Sequence, residues 1–149
     1  MDADAERLAA EEDGAWMELH TAFEQIPPDR FEEPLLTSDG WSPKDAMFHV
    51  GAWCAECAIQ LERMRMGTYD DPRIDTDAQN DEWFEISKGL DLPTVKVELH
   101  AARTRMRQVW CELDELGKLT RDAIEWFEES GHIHYRAHRG QLVKWLERS

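Results

Sequence analysis

The sequence predicts an all-α protein, a four-helix bundle with short extra helices in the crossovers. Two observations predict it. Apolar residues recur at three- and four-residue steps nearly throughout, and no stretch alternates as a half-buried strand would. A third bounds the size of the core: 149 residues, 42% hydrophobic and with seven Trp, can bury one core of this kind. The expected organisation is therefore a single domain over residues 1–149, with any cofactor site built from facing side chains inside the bundle.

The elements follow in order. Leu8, Ala15, Leu19, Ala22 and Ile26, with Trp16 and Phe23 beside them, predict an amphipathic helix from about residue 3 to 25. Pro27-Pro28 stops it, and residues 27–41, with Pro34 and Gly40, read as a loop. Ser42-Pro43-Lys44-Asp45 is a helix start: Ser42 can cap, Pro43 suits the first helical position, and Asp45 sits near the positive end of the dipole. This second helix carries Ala46, His49, Val50, Trp53, Cys57, Leu61 and Met64 inward and ends at Gly67. Asp75-Thr76-Asp77 can cap a shorter helix through Trp83 and Phe84, ending near Gly89. Pro93-Thr94 starts a long helix with Val95, Leu99, Ala102, Met106, Val109, Leu113 and Leu116 at near-heptad spacing, followed by Gly117. A short helix is expected at Asp122–Glu128. Ser130 or Gly131 then opens the last one, whose inward face holds His134, His138, Leu142 and Trp145.

Composition narrows the function classes. A net charge of −15 disfavours nucleic acid, whose binding needs a basic patch, and disfavours anionic membranes. No run is long enough to cross a bilayer, and the acidic start Met1-Asp2-Ala3-Asp4 is unlike a signal peptide, so the expected location is cytoplasmic. Three cysteines do not form a disulfide framework. Cys54-Ala55-Glu56-Cys57 matches C-x-x-C but lies inside a predicted helix, where ordinary buried thiols are the simpler reading.

Three histidines carry the chemistry. His134 and His138 are four residues apart on the Leu142/Trp145 stripe, so they project from one helix face and can grip one ion together. His49 occupies a core-facing step between Ala46 and Trp53. A lone buried His is more often a satisfied core residue than a ligand, but a neutral imidazole there needs a hydrogen-bond partner or a metal. If their helices meet, the three form a facial metal site with open positions. His134-Tyr135-Arg136-Ala137-His138 lacks the Glu of a metalloprotease motif. His20, His100 and His132 are expected at surface or rim positions. Asn80, Tyr135 and Arg139 are candidates for rim or substrate contacts.

Trp41-Ser42-Pro43-Lys44-Asp45 running to His49 and Trp53, together with His134-Tyr135-x-x-His138 and Trp145, resembles the DinB/YfiT-like superfamily. The chain is most similar to its DfsB/ClbS-type members, and more loosely to the metal-binding domain of mycothiol-dependent maleylpyruvate isomerases. The resemblance implies an up-down-down-up bundle, often a homodimer, with a divalent metal (zinc, nickel or iron) on His49, His134 and His138. The isomerases can carry a Glu where this chain has His134.

Three neutral imidazoles leave such an ion its full charge and at least one free position, where bound water or a thiol is acidified. Three readings follow. One is a metal-dependent enzyme performing thiol transfer, with a low-molecular-weight thiol, or hydrolysis on a small electrophilic substrate. Another is a non-catalytic metal- or small-molecule-binding protein with a stress-protection role. The third is a purely structural dimer whose histidines pair with one another. No residue is singled out as catalytic.

Overall fold

The computed structural model describes residues 2–34 and 40–148. Among them every regular element is helical: α1 (Ala3–Glu24), a 3-10 turn (Pro28–Arg30), α2 (Pro43–Met66), α3 (Thr76–Lys88), α4 (Leu92–Glu115), α5 (Arg121–Ser130) and α6 (His132–Glu147). The all-α class is as the sequence predicts. Residues 35–39 of the expected 27–41 loop lie outside the described residues, as do Met1 and Ser149.

The helix starts are set by side chains that satisfy otherwise unpartnered backbone N–H groups. Asp2, Ser42, Asp75, Asp91 and Thr120 each cap the helix that follows. At α2 the arrangement is a full capping box. Asp45 N–H donates to Ser42 Oγ at 3.1 Å, and Ser42 N–H donates back to Asp45 Oδ2 at 2.9 Å. Asp45 Oδ1 also accepts from Ser87 Oγ at 2.5 Å, which docks the C-terminal end of α3 on the start of α2. Lys44, buried beside it, donates to Glu32 at 2.7 Å and to the Leu90 carbonyl at 2.8 Å. The Trp41–Asp45 segment is thus an anchor for three parts of the chain.

α2 and α4 form the most extensive helix pair, and α1 packs on α6. Gly51 lets α2 and α4 approach, since a Cβ there would stand 3.1 Å from Leu99 Cα. α5 packs against both α2 and α6, and α3 lies on α2. The shared core holds Leu8, Leu19, Val50, Leu61, Met106, Leu113, Phe127 and Leu142. Fully buried Trp110 stacks on Phe127 with centroids 4.1 Å apart, and its indole N–H reaches the Ala5 carbonyl at 3.3 Å.

Two positions depart from the expected stripes. Leu116 caps the end of α4 and is 55% exposed, because the helix has already stopped when its turn comes. Trp53 is half-buried and leaves the core to line a cavity.

A buried carboxylate in the core was not expected. Glu12 occupies the inward step of α1 between Leu8 and Ala15 and is fully buried. Arg103 grips both its oxygens, at 2.9 and 2.8 Å, and Arg107 donates to Oε1 at 2.6 Å. The Tyr135 hydroxyl donates to Oε2 at 2.8 Å. One carboxylate therefore ties α1, α4 and α6 together with its charge compensated.

Candidate metal centre and its cavity

His49 lies on the second turn of α2, and His134 and His138 lie on successive turns of α6. Packing of α6 against α2 brings the three rings together. His49 Nε2 is 2.8 Å from His134 Nε2, which is 3.0 Å from His138 Nε2. One ligand atom from each lies within 4.8 Å of the others, so the three could hold a metal ion.

Burial and charge keep these rings neutral. Burial pushes the His49 imidazole down to about 3, with His138 adding repulsion. Burial, then His138 and His49, hold His134 well below the ordinary range. Burial also lowers His138, against the opposing effect of its hydrogen bond to Gln141. Neutral imidazole is the form that ligates metals.

The donor arithmetic does not close within the protein. His138 Nδ1 meets Gln141 Oε1 at 3.0 Å, so Nδ1 carries the proton and the Nε2 lone pair faces His134. His134 Nε2 has one site, either a proton or a lone pair, yet two imidazole nitrogens press on it. Both contacts are met only if one His134 N–H is shared between two lone pairs, a weak three-centre arrangement. The buried Nδ1 atoms of His49 and His134 have no partner among the described residues. A cation that accepts all three Nε2 lone pairs removes the conflict, and the donor set suits zinc, nickel or iron.

The cluster forms one end of a cavity of about 470 Å³. Trp41 packs edge-on against His49 at 4.6 Å and stacks on Phe84 of α3 at 5.9 Å. Trp53 forms a wall, fixed by its indole N–H to Asn80 Oδ1 at 2.9 Å and by Trp83 edge-on at 4.9 Å. On the other side Trp126 donates to the Tyr69 hydroxyl at 3.2 Å, and both rings line the space.

The remaining candidates divide. Asn80 lines the cavity and orients Trp53. Tyr135 is not a rim residue. It is fully buried, facing Glu12 and Cys54 Sγ (3.4 Å), because it points across α6 from its neighbour His134. Arg139 is exposed and does not line the cavity. His132, expected at the surface, is buried with Nε2 3.7 Å from Glu128, because the α5–α6 junction folds over it. His20 and His100 pack around Trp16 and keep partial or full exposure. Cys54 and Cys57 are buried free thiols, as the helix placement implied. Burial raises both, Cys54 to about 12, so neither is a ready thiolate.

Tyr69, Trp126, Gln141 and the carboxylates lining the cavity were not anticipated, and Trp41 was marked only as part of the segment running to His49. Gln141 had a signal: it lies three residues beyond His138, on the next turn of the same face. The others come from crossovers and α5, where periodicity says little about which cavity a side chain enters.

A crystal structure of an uncharacterised protein from Escherichia coli superposes on this chain with a TM-score of 0.82, covering 97% of this chain and 93% of that one at 14% identity. The likeness is one of fold. No family model and no curated protein matches the chain.

Proposed function

We propose that the protein is a DinB/YfiT-like four-helix bundle, up-down-down-up, that holds one divalent metal ion on His49, His134 and His138. We propose further that it is a metal-dependent enzyme performing thiol transfer or hydrolysis on a small electrophilic substrate. A single observation carries the metal reading: three neutral imidazoles, those of His49 and His138 buried and that of His134 half-buried, converge at 2.8 and 3.0 Å on one shared nitrogen, His134 Nε2. Like groups packed so closely in a core cost stability unless something binds between them.

Bound there, a divalent ion supplies a Lewis acid that makes a thiol or water acidic near neutral pH. The chain does the rest. Gln141 fixes the His138 ring so that its lone pair points inward. Trp41 shields His49 from solvent, which lowers the local dielectric. Trp53 and Trp126 flank the space in which a substrate lies beside the histidines. The same membership carries the proposals of a homodimer and a low-molecular-weight thiol as co-substrate, and a cytoplasmic location is proposed from the sequence, with no described helix long and apolar enough to cross a membrane.

The test is elemental analysis of protein purified without added metal, followed by cobalt titration of the stripped protein. About one equivalent per chain is expected, lost in His49→Ala, His134→Ala and His138→Ala and kept in His20→Ala and His100→Ala. Wild-type protein that binds no ion, or three histidine variants that all keep it, refutes the metal reading. Thiol-dependent change in the cobalt bands, with turnover of epoxides or activated esters above His49→Ala, supports catalysis. A bound ion with neither response leaves the non-catalytic binding protein as the function.

A further inference from the structure

We propose that the cavity beside the histidines selects small organic cations, molecules with a protonated or quaternary nitrogen. It deepens the metal reading by naming the substrate class, and rests on it only for where the uncharged end of the molecule would lie.

The charge at the cavity is of one sign. Asp71, Asp122, Glu125 and Glu129 line it, and no Lys or Arg does. All four carboxylates are solvent-exposed; Glu125 meets Arg121 at 3.0 Å, and with that side chain 92% exposed the pair is weak. Asp122, Glu125 and Glu129 are spaced i, i+3 and i+7, one stripe of α5. Like charges at this spacing repel and weaken a helix. Glu129 also lies in the last turn, where the helix dipole disfavours an anion. Asp122 sits in the first turn, where the dipole favours it, and Glu125 has its Arg121 partner, so Glu129 is the member that works against the helix and that a cation in the cavity relieves.

An independent feature points to the same ligand. Trp53, Tyr69 and Trp126 line the space, and aromatic rings bind cations over their faces. The rings are held in advance: Trp53 by Asn80, and Trp126 by Tyr69. A ligand thus orders little on arrival. Along the lining only His49 and His134 would carry positive charge, and only with an ion bound. A cationic nitrogen therefore lies towards the carboxylates and the uncharged end of the molecule towards the histidines. Phosphate and carboxylate compounds find no counter-charge along the walls.

Benzyltrimethylammonium is the probe. It has no lone pair and cannot ligate a metal, so it reports on the cavity alone. Its binding, followed by tryptophan fluorescence, is compared with neopentylbenzene, its neutral isostere, and with phenylmethanesulfonate. The cation should bind about tenfold more tightly than the isostere at low salt, and lose that margin as salt screens the carboxylates. Glu125→Gln/Glu129→Gln should weaken it about fivefold with metal content unchanged. Equal binding of the isostere, preference for the sulfonate, or an unchanged double variant overturns the proposal. Failure of the metal reading shows separately, as wild-type protein without an ion that still selects the cation.

Discussion

At the scale of single residues, the least visible contributor to the metal centre is Gln141. Its side chain fixes which nitrogen of His138 carries the proton. Removing such an outer partner typically costs tenfold or more in metal affinity. Gln141→Ala is therefore expected to bind zinc about tenfold more weakly while folding normally, measured by competition with a chromophoric chelator. Equal affinity would mean that His138 is oriented by packing alone. Glu12 gives the second prediction. Glu12→Gln removes the charge that Arg103 and Arg107 both need and should lower unfolding free energy by about 3 kcal/mol, read from urea midpoints. Glu12→Gln/Arg103→Met should recover part of that loss, because the double change removes both charges of one pair. The three clustered histidines were legible because spacing and an apolar stripe suffice to place them. Glu12 stood on an equally regular stripe, and its inward step between Leu8 and Ala15 was the available signal. Its partners, however, come from α4 and α6, some 90 and 120 residues away, and no local pattern pairs them. Tyr135 was misplaced for the same reason: adjacency to His134 in sequence puts it on a different side of the helix.

At the scale of elements, helix starts were legible and cavity walls were not. Ser42 to Asp45 announced α2 through chemistry confined to four residues. Ser42→Ala should cost about 1 kcal/mol through loss of the cap, seen as a lower melting temperature with metal stoichiometry intact. The α5–α6 junction is more demanding. A Cβ on Gly131 would stand 2.6 Å from the Phe127 carbonyl and 3.2 Å from Glu12 Cγ. Backbone cannot yield cheaply there, so Gly131→Ala should destabilise by about 2 kcal/mol. Because α6 begins at the next residue, the same change should also shift His134 and weaken metal binding; unaltered affinity would show that the centre is positioned from the far end of α6. Such a contact involves three elements at once, which is why the sequence marks the junction but not its tightness.

At the scale of the whole molecule, the three depressed imidazoles couple folding to pH. In the stripped protein each ring stays neutral when folded, whereas in the unfolded chain it takes up a proton near pH 6.5. The unfolded state then binds more protons, so stability is complete above about pH 6.5 and falls with acidification, for His49 down to about pH 3. Each ring contributes a slope of about 1.4 kcal/mol per pH unit within its window. Thermal melts of chelator-treated protein between pH 7 and 5 should show the loss, and His49→Asn should make it shallower. A flat profile would mean that the rings protonate in place. Zinc added at pH 7 should raise the melting temperature of wild type and leave His49→Ala unmoved. The long α2–α4 pair gives the molecule its length, but α3 has another status. Ser87 is its one buried residue among those described, although Asn80 and Trp83 complete the wall around Trp53. So few buried contacts place α3 at the low end of local stability. Its amide protons should therefore exchange with deuterium well before those of α2 and α4, through openings that leave the rest of the fold intact. Each such opening uncovers the histidines to solvent, so the rate at which molecules reach them would be set by how often one exposed helix lifts, and a bound ligand would be recognised by the protection it confers there.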